Sequence, residues 1–82
     1  MLKLTIKKFP ANDDEPAGWV IINADGRGYS DVLALARLAG VTYHHNAISN
    51  RHKTKKSADA ALRSVARLAA QRTGASYEFI RA

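Results

Sequence analysis

Not one cysteine occurs in this 82-residue chain. A chain so short buries only roughly 60% of the surface that its unfolded form exposes, so its core is small. Disulfides, thiolate zinc sites and cysteine nucleophiles are excluded with the residue, and packing alone must hold the fold. The expectation is one domain, residues 1–82, around one apolar core. Apolar residues make up 46% of the chain and charged residues 24%, which suits a folded domain rather than a disordered one.

Two periodicities run along the chain. Leu2, Leu4 and Ile6 alternate with Lys3, Thr5 and Lys7, which sends the aliphatic side chains to one face of a strand. Pro10 to Gly18, with two prolines and three consecutive acids, reads as a loop. Trp19-Val20-Ile21-Ile22 reads as a second strand that can pair antiparallel with the first. Asp25-Gly26 marks the turn that ends it. Ser30 or Asp31 can cap a helix to Ala39, with Val32, Leu35, Ala36 and Ala39 as its inner stripe and Gly40 at its left-handed end. Val41 to Asn50 fits a strand or a short helix. Ser57 to Thr73 is the clearest helix, with Ser57 as cap, Asp59 in the first turn, and Ala58, Ala61, Leu62, Val65, Leu68 and Ala69 at helical spacing. Asp59 and Arg63 stand at the i,i+4 spacing of an ion pair. Tyr77 to Ile80 reads as a last strand. The order β-β-α-(β or α)-α-β predicts an α+β fold, a small two-layer domain with helices packed on one face of a mainly antiparallel sheet.

Charge is divided unevenly along the chain. From Met1 to Val41 five basic residues (Lys3, Lys7, Lys8, Arg27, Arg37) balance five acids (Asp13, Asp14, Glu15, Asp25, Asp31). From Thr42 onward eight basic residues face only Asp59 and Glu78, so the whole net charge of +6 lies in the second half. A one-sided field of this kind selects an anionic partner. The richest stretch is Arg51-His52-Lys53-Thr54-Lys55-Lys56. It reads as an exposed connection leading into a helix whose first N–H groups themselves attract anions. Arg63 and Arg67 extend the basic patch along that helix. These residues are the candidate contacts for nucleic acid or another anionic partner.

Other constellations are weaker. His44, His45 and His52 lack the spacing and the further ligands of a metal site, and no metal or cofactor is expected. Gly26-Arg27-Gly28 lacks the third glycine and the lysine of a phosphate loop and reads as a turn. Asp13, Asp14 and Glu15 read as a solvated loop rather than as paired catalytic carboxylates. No Ser/His/Asp order has supporting context, so an enzyme is not expected. Tyr29, Tyr43 and Tyr77 read as half-buried rings with the hydroxyl in water, and stack on bases only if exposed. No apolar run approaches the ~18 residues of a membrane span, and the alternating opening Met1–Lys7 differs from a signal peptide. A cytoplasmic protein without membrane contact is expected. An unpaired edge at Leu2–Lys8 or Tyr77–Arg81 would permit a homodimer by strand addition.

Two resemblances add to this. Asp31 to Tyr43 (DVLALARLAGVTY) resembles the first helix and turn of the helix-turn-helix in bacterial repressors of the lactose-repressor type, through Ala36, Gly40, Val41, Thr42 and Tyr43. That resemblance implies that Thr42 caps a recognition helix and that Tyr43 and His44 face the major groove. In size and style the chain is also similar to phage-encoded inhibitors, anti-CRISPR proteins among them, several of which carry an Ala-rich helix followed by a short strand, as Ser57 to Ile80 would here. This implies a non-enzymatic inhibitor of a bacterial ribonucleoprotein or nuclease complex, using the basic half against an acidic protein surface or the guide RNA. The alternative is a domain that binds DNA or RNA directly.

Overall fold

The alternating opening forms strand β1 (Leu4–Phe9) in a computed structural model, which describes residues 2–74. It pairs antiparallel with β2 (Gly18–Asn23), with Leu4 opposite Asn23, Ile6 opposite Ile21 and Lys8 opposite Trp19. Directly opposed residues share a face of the sheet. Leu4, Ile6, Trp19 and Ile21 therefore point one way, and Lys7, Phe9, Val20 and Ile22 the other. The first face carries the core. Leu4 and Ile21 are fully buried there, and Ile6 and Trp19 pack at its edge.

Helix α1 (Ser30–Ala39) and helix α2 (Lys55–Thr73) cover that face. They bring Val32, Leu35 and Ala39 from α1 and Ala58, Leu62, Val65 and Ala69 from α2 into one cluster with Leu4 and Ile21. The α+β architecture, with its helices on one face of an antiparallel hairpin, is as the residue periodicities predict. Among the described residues, no helix is long and apolar enough to cross a membrane. The expected strand Tyr77–Ile80 lies outside the described residues.

The caps differ from expectation. Neither Ser30 nor Asp31 caps α1. Ser30 is already helical, Tyr29 occupies the cap position without a side-chain bond, and Asn23 at the end of β2 accepts the Asp31 N–H at 2.9 Å. At the other end Gly40 takes the left-handed conformation, with φ +71°, as its position after Ala39 predicts. Helix α2 begins two residues early. Thr54, not Ser57, is its cap, and Thr54 Oγ1 accepts the Ser57 N–H at 3.1 Å. Asp59 thus lies in the second turn and not the first.

Val41 to Asn50 forms neither a strand nor a regular helix. His45 sits in the left-handed region at φ +64°, which breaks any continuing ladder or helix. After it comes a single 3-10 turn, Ala47–Ser49, capped by Asn46, whose Oδ1 accepts the Ile48 N–H at 3.1 Å. This turn drives Ile48 into the core, where it is fully buried. The recognition helix implied by the repressor resemblance is absent: the turn after Gly40 leads into a core-plugging loop, and Thr42 caps no helix.

Candidate functional site

The basic stretch 51–56 separates into two parts with different roles. Arg51 and His52 are half-buried and hold the fold together, contrary to the exposed connection that the sequence suggests. Arg51 Nε meets Glu15 Oε2 at 2.7 Å, and its Nη1 donates to the carbonyls of Pro10 and Pro16 at 3.3 and 3.2 Å. Its guanidinium also stands 5.6 Å from the centre of the Phe9 ring. Glu15 is therefore not simply a solvated acid; it neutralises the most buried cation of the stretch.

His52 docks on the edge of β2. The Trp19 N–H donates to the His52 carbonyl at 2.7 Å, and the His52 N–H returns the bond at 2.9 Å. Gly18 permits this approach, because a Cβ there would lie 3.0 Å from Arg51 Cβ and 3.1 Å from the His52 carbonyl. The imidazole bridges two elements, with Nε2 2.7 Å from the Ala47 carbonyl and Nδ1 2.9 Å from Ser57 Oγ. A carbonyl only accepts, so Nε2 carries the hydrogen, and in the neutral ring Nδ1 accepts the serine hydroxyl.

Lys53, Lys55 and Lys56 remain exposed, and so do Arg63 and Arg67. On α2, Lys56, Ala60, Arg63, Arg67 and Gln71 fall on one outward stripe, since each step of three or four residues returns to the same side. Lys56 to Arg67 spans about 16 Å along the axis at ~1.5 Å per residue. Asp59 flanks this stripe and pairs with Arg63 at 2.9 Å, as the i,i+4 spacing predicts. Lys55 lies on the flank that faces the hairpin. There its Nζ and that of Lys8 each stand 6.0 Å from the Trp19 ring centre, so β1 adds a cation that the charge division had left in the neutral half. The first turn of α2 contains no acid and two lysines. That placement opposes the helix dipole and costs a few tenths of a kcal/mol or more per charge.

Tyr43, partly buried against the core cluster, and His44 beside it belong to a second place, next to a cleft that Phe9 and Val20 line from the other face of the hairpin. His44 meets the Tyr43 ring edge-on, with centres 5.2 Å apart, and Tyr43 stands 6.4 Å from Tyr29 at a tilt of 50°. With Phe9, Val20, Ser49, Glu15 and Arg51 these two tyrosines line an open cleft of about 290 Å³. Partial burial, and secondarily the neighbouring Tyr29, raise the Tyr43 phenol above its ordinary pKa of 10.0. The cleft was not legible as a unit in the sequence. Its one local signal was the set of tyrosines near the two glycine turns.

Among the described residues, no group of three His, Cys, Asp or Glu side chains is placed to hold a metal ion. In comparisons with known proteins, the chain matches no family model, no curated protein and no solved structure.

Proposed function

We propose that this protein is a non-enzymatic binding module of the phage-inhibitor kind. Its basic face engages the nucleic acid held by a bacterial ribonucleoprotein or nuclease complex. One observation carries this reading: five exposed cations, Lys53, Lys55, Lys56, Arg63 and Arg67, gather on and just before α2, and among the described residues the acid seen paired with them is Asp59, on Arg63. Two of the lysines stand where the helix dipole disfavours them, a local cost that fits a demand from outside the fold. Spaced cations along a helix suit phosphates, which fix position without reading sequence. A second reading, a domain that binds DNA or RNA without any complex, is favoured by the tyrosine cleft, because exposed rings suit unstacked bases.

Fluorescence titration against duplex DNA, single strands and duplex RNA tests the proposal. Each phosphate contacted contributes about 0.9 to the slope of log affinity against log salt on duplex DNA, so five contacts remove two to three orders of magnitude between ~50 and ~200 mM salt. Joint reversal of Lys53, Lys55 and Lys56 to Glu is expected to abolish binding while circular dichroism stays native. Unchanged affinity in that variant would remove these lysines from the interface. Failure of every nucleic acid to bind at low salt would overturn the nucleic-acid reading, and a pull-down from bacterial lysate would then show whether the target is an acidic protein surface.

A further inference from the structure

We infer, resting on the nucleic-acid engagement proposed above, that the cleft between Phe9, Tyr29 and Tyr43 receives one unstacked nucleobase. Its size suits that occupant: about 290 Å³ is at the lower end of the ~300–1,000 Å³ of small-molecule sites, room for a single base with part of its sugar. Its walls offer ring surface. Tyr29 is 37% exposed, although it stands over a hairpin face whose Val20 and Ile22 are nearly closed off, at 7% and 3%. The Tyr29 and Tyr43 rings tilt against each other at 6.4 Å, which leaves no slot between them, so a base stacks on an outer ring face.

The polar lining decides between base and phosphate. Arg51 is neutralised by Glu15 at 2.7 Å, so among the described residues the cleft lining offers no uncompensated cation to a phosphate, and the carboxylate repels one. A neutral base is welcome on the same grounds. The Glu15 carboxylate accepts from an amino or imino N–H on the base edge, and Ser49 Oγ, which donates its own hydrogen to the Asn46 carbonyl at 2.9 Å, keeps acceptor capacity. The phosphate then stays at the mouth. Lys7, whose Nζ stands 5.6 Å from the centre of the Phe9 ring, offers a cation beside that wall. Aromatic walls with a cation at the rim are the working parts of a single-strand subsite.

The test is amide-resolved NMR on the whole chain with cytidine and guanosine 5′-monophosphates, with ribose 5-phosphate as the base-free control. The nucleotides are expected to shift Tyr29, Tyr43 and Ser49, and the control is not. Binding of a short oligothymidylate is expected to weaken roughly 5- to 150-fold in Tyr29→Ser, the range for one lost base stack, while duplex binding holds. Tyr29→Phe keeps the ring and should keep the affinity. A strand that binds more tightly than the mononucleotides marks the base as part of a strand; the reverse marks a free nucleotide. Equal shifts from ribose 5-phosphate, or no shift together with an unaffected Tyr29→Ser, would overturn the inference even if the lysine variant shows the basic face at work. Shifts in the cleft with no lysine dependence would sustain it while the basic-face reading fails.

Discussion

Asn23 shows how much one side chain can organise here. It is 8% exposed and ends β2. Its Oδ1 accepts the Asp31 N–H at 2.9 Å, its Nδ2 donates to Ser30 Oγ at 3.0 Å, and its own N–H donates to the Gly28 carbonyl at 3.1 Å. One residue thus closes the turn after the hairpin and supplies the cap that Tyr29 does not. Asp31, released from capping, accepts the Lys3 N–H at 3.1 Å and ties the start of the chain to α1. Removing the amide leaves a helix N–H without its acceptor in a nearly closed site. Asn23→Ala is therefore expected to lower stability by about 1–3 kcal/mol in urea unfolding. A loss below about 0.5 kcal/mol, the level of ordinary surface changes, would show that water replaces the cap.

At the level of elements, α2 is the part on which both fold and proposed function depend. Its inner stripe of Ala58, Leu62, Val65 and Ala69 is an apolar face at helical spacing, and its outer stripe carries Lys56, Arg63 and Arg67. The point at which it starts sets where the lysines go. With Thr54 as cap, Lys55 and Lys56 are helical, and Lys55 turns toward Trp19 while Lys56 turns outward. Thr54→Ala is expected to cost about 1 kcal/mol and to speed amide exchange at Ser57, whose N–H loses its acceptor. Ser57→Ala should leave that amide protected, because its hydroxyl bonds His52 and not the helix end. Protection lost in Ser57→Ala but kept in Thr54→Ala would return the cap to Ser57.

For the molecule as a whole, the Arg51–His52 segment is the clasp. It joins the acidic loop, the edge of β2, the 3-10 turn and the start of α2. The Arg51 fork spreads over Glu15 and two proline carbonyls, a geometry that a lysine ammonium cannot reproduce. Because the pair is partly solvated, Arg51→Ala is expected to cost about 1–2 kcal/mol in thermal or urea unfolding. Arg51→Lys should recover less than half of that. Full recovery by lysine would mean that charge alone, and not the fork, holds the loop.

The sequence alone determined the elements whose signal is local and periodic: the β1–β2 hairpin, the apolar stripes of α1 and α2, the Asp59–Arg63 pair and the left-handed Gly40. The stripes, the ion pair and the glycine rest on neighbours one to four residues apart, and the hairpin joins two strands, each with its own short period, that are adjacent in the chain. Tertiary structure decided the rest. Asn23 caps a helix eight residues away, and Arg51 reaches a carbonyl 41 positions back. Ile48 bends the 41–50 segment into a turn because the core takes it in. The gathering of Phe9, Tyr29 and Tyr43 around one cleft, and the separation of Arg51 and His52 from the exposed lysines, follow from the same cause. Long-range contacts choose among side chains that local spacing leaves equivalent.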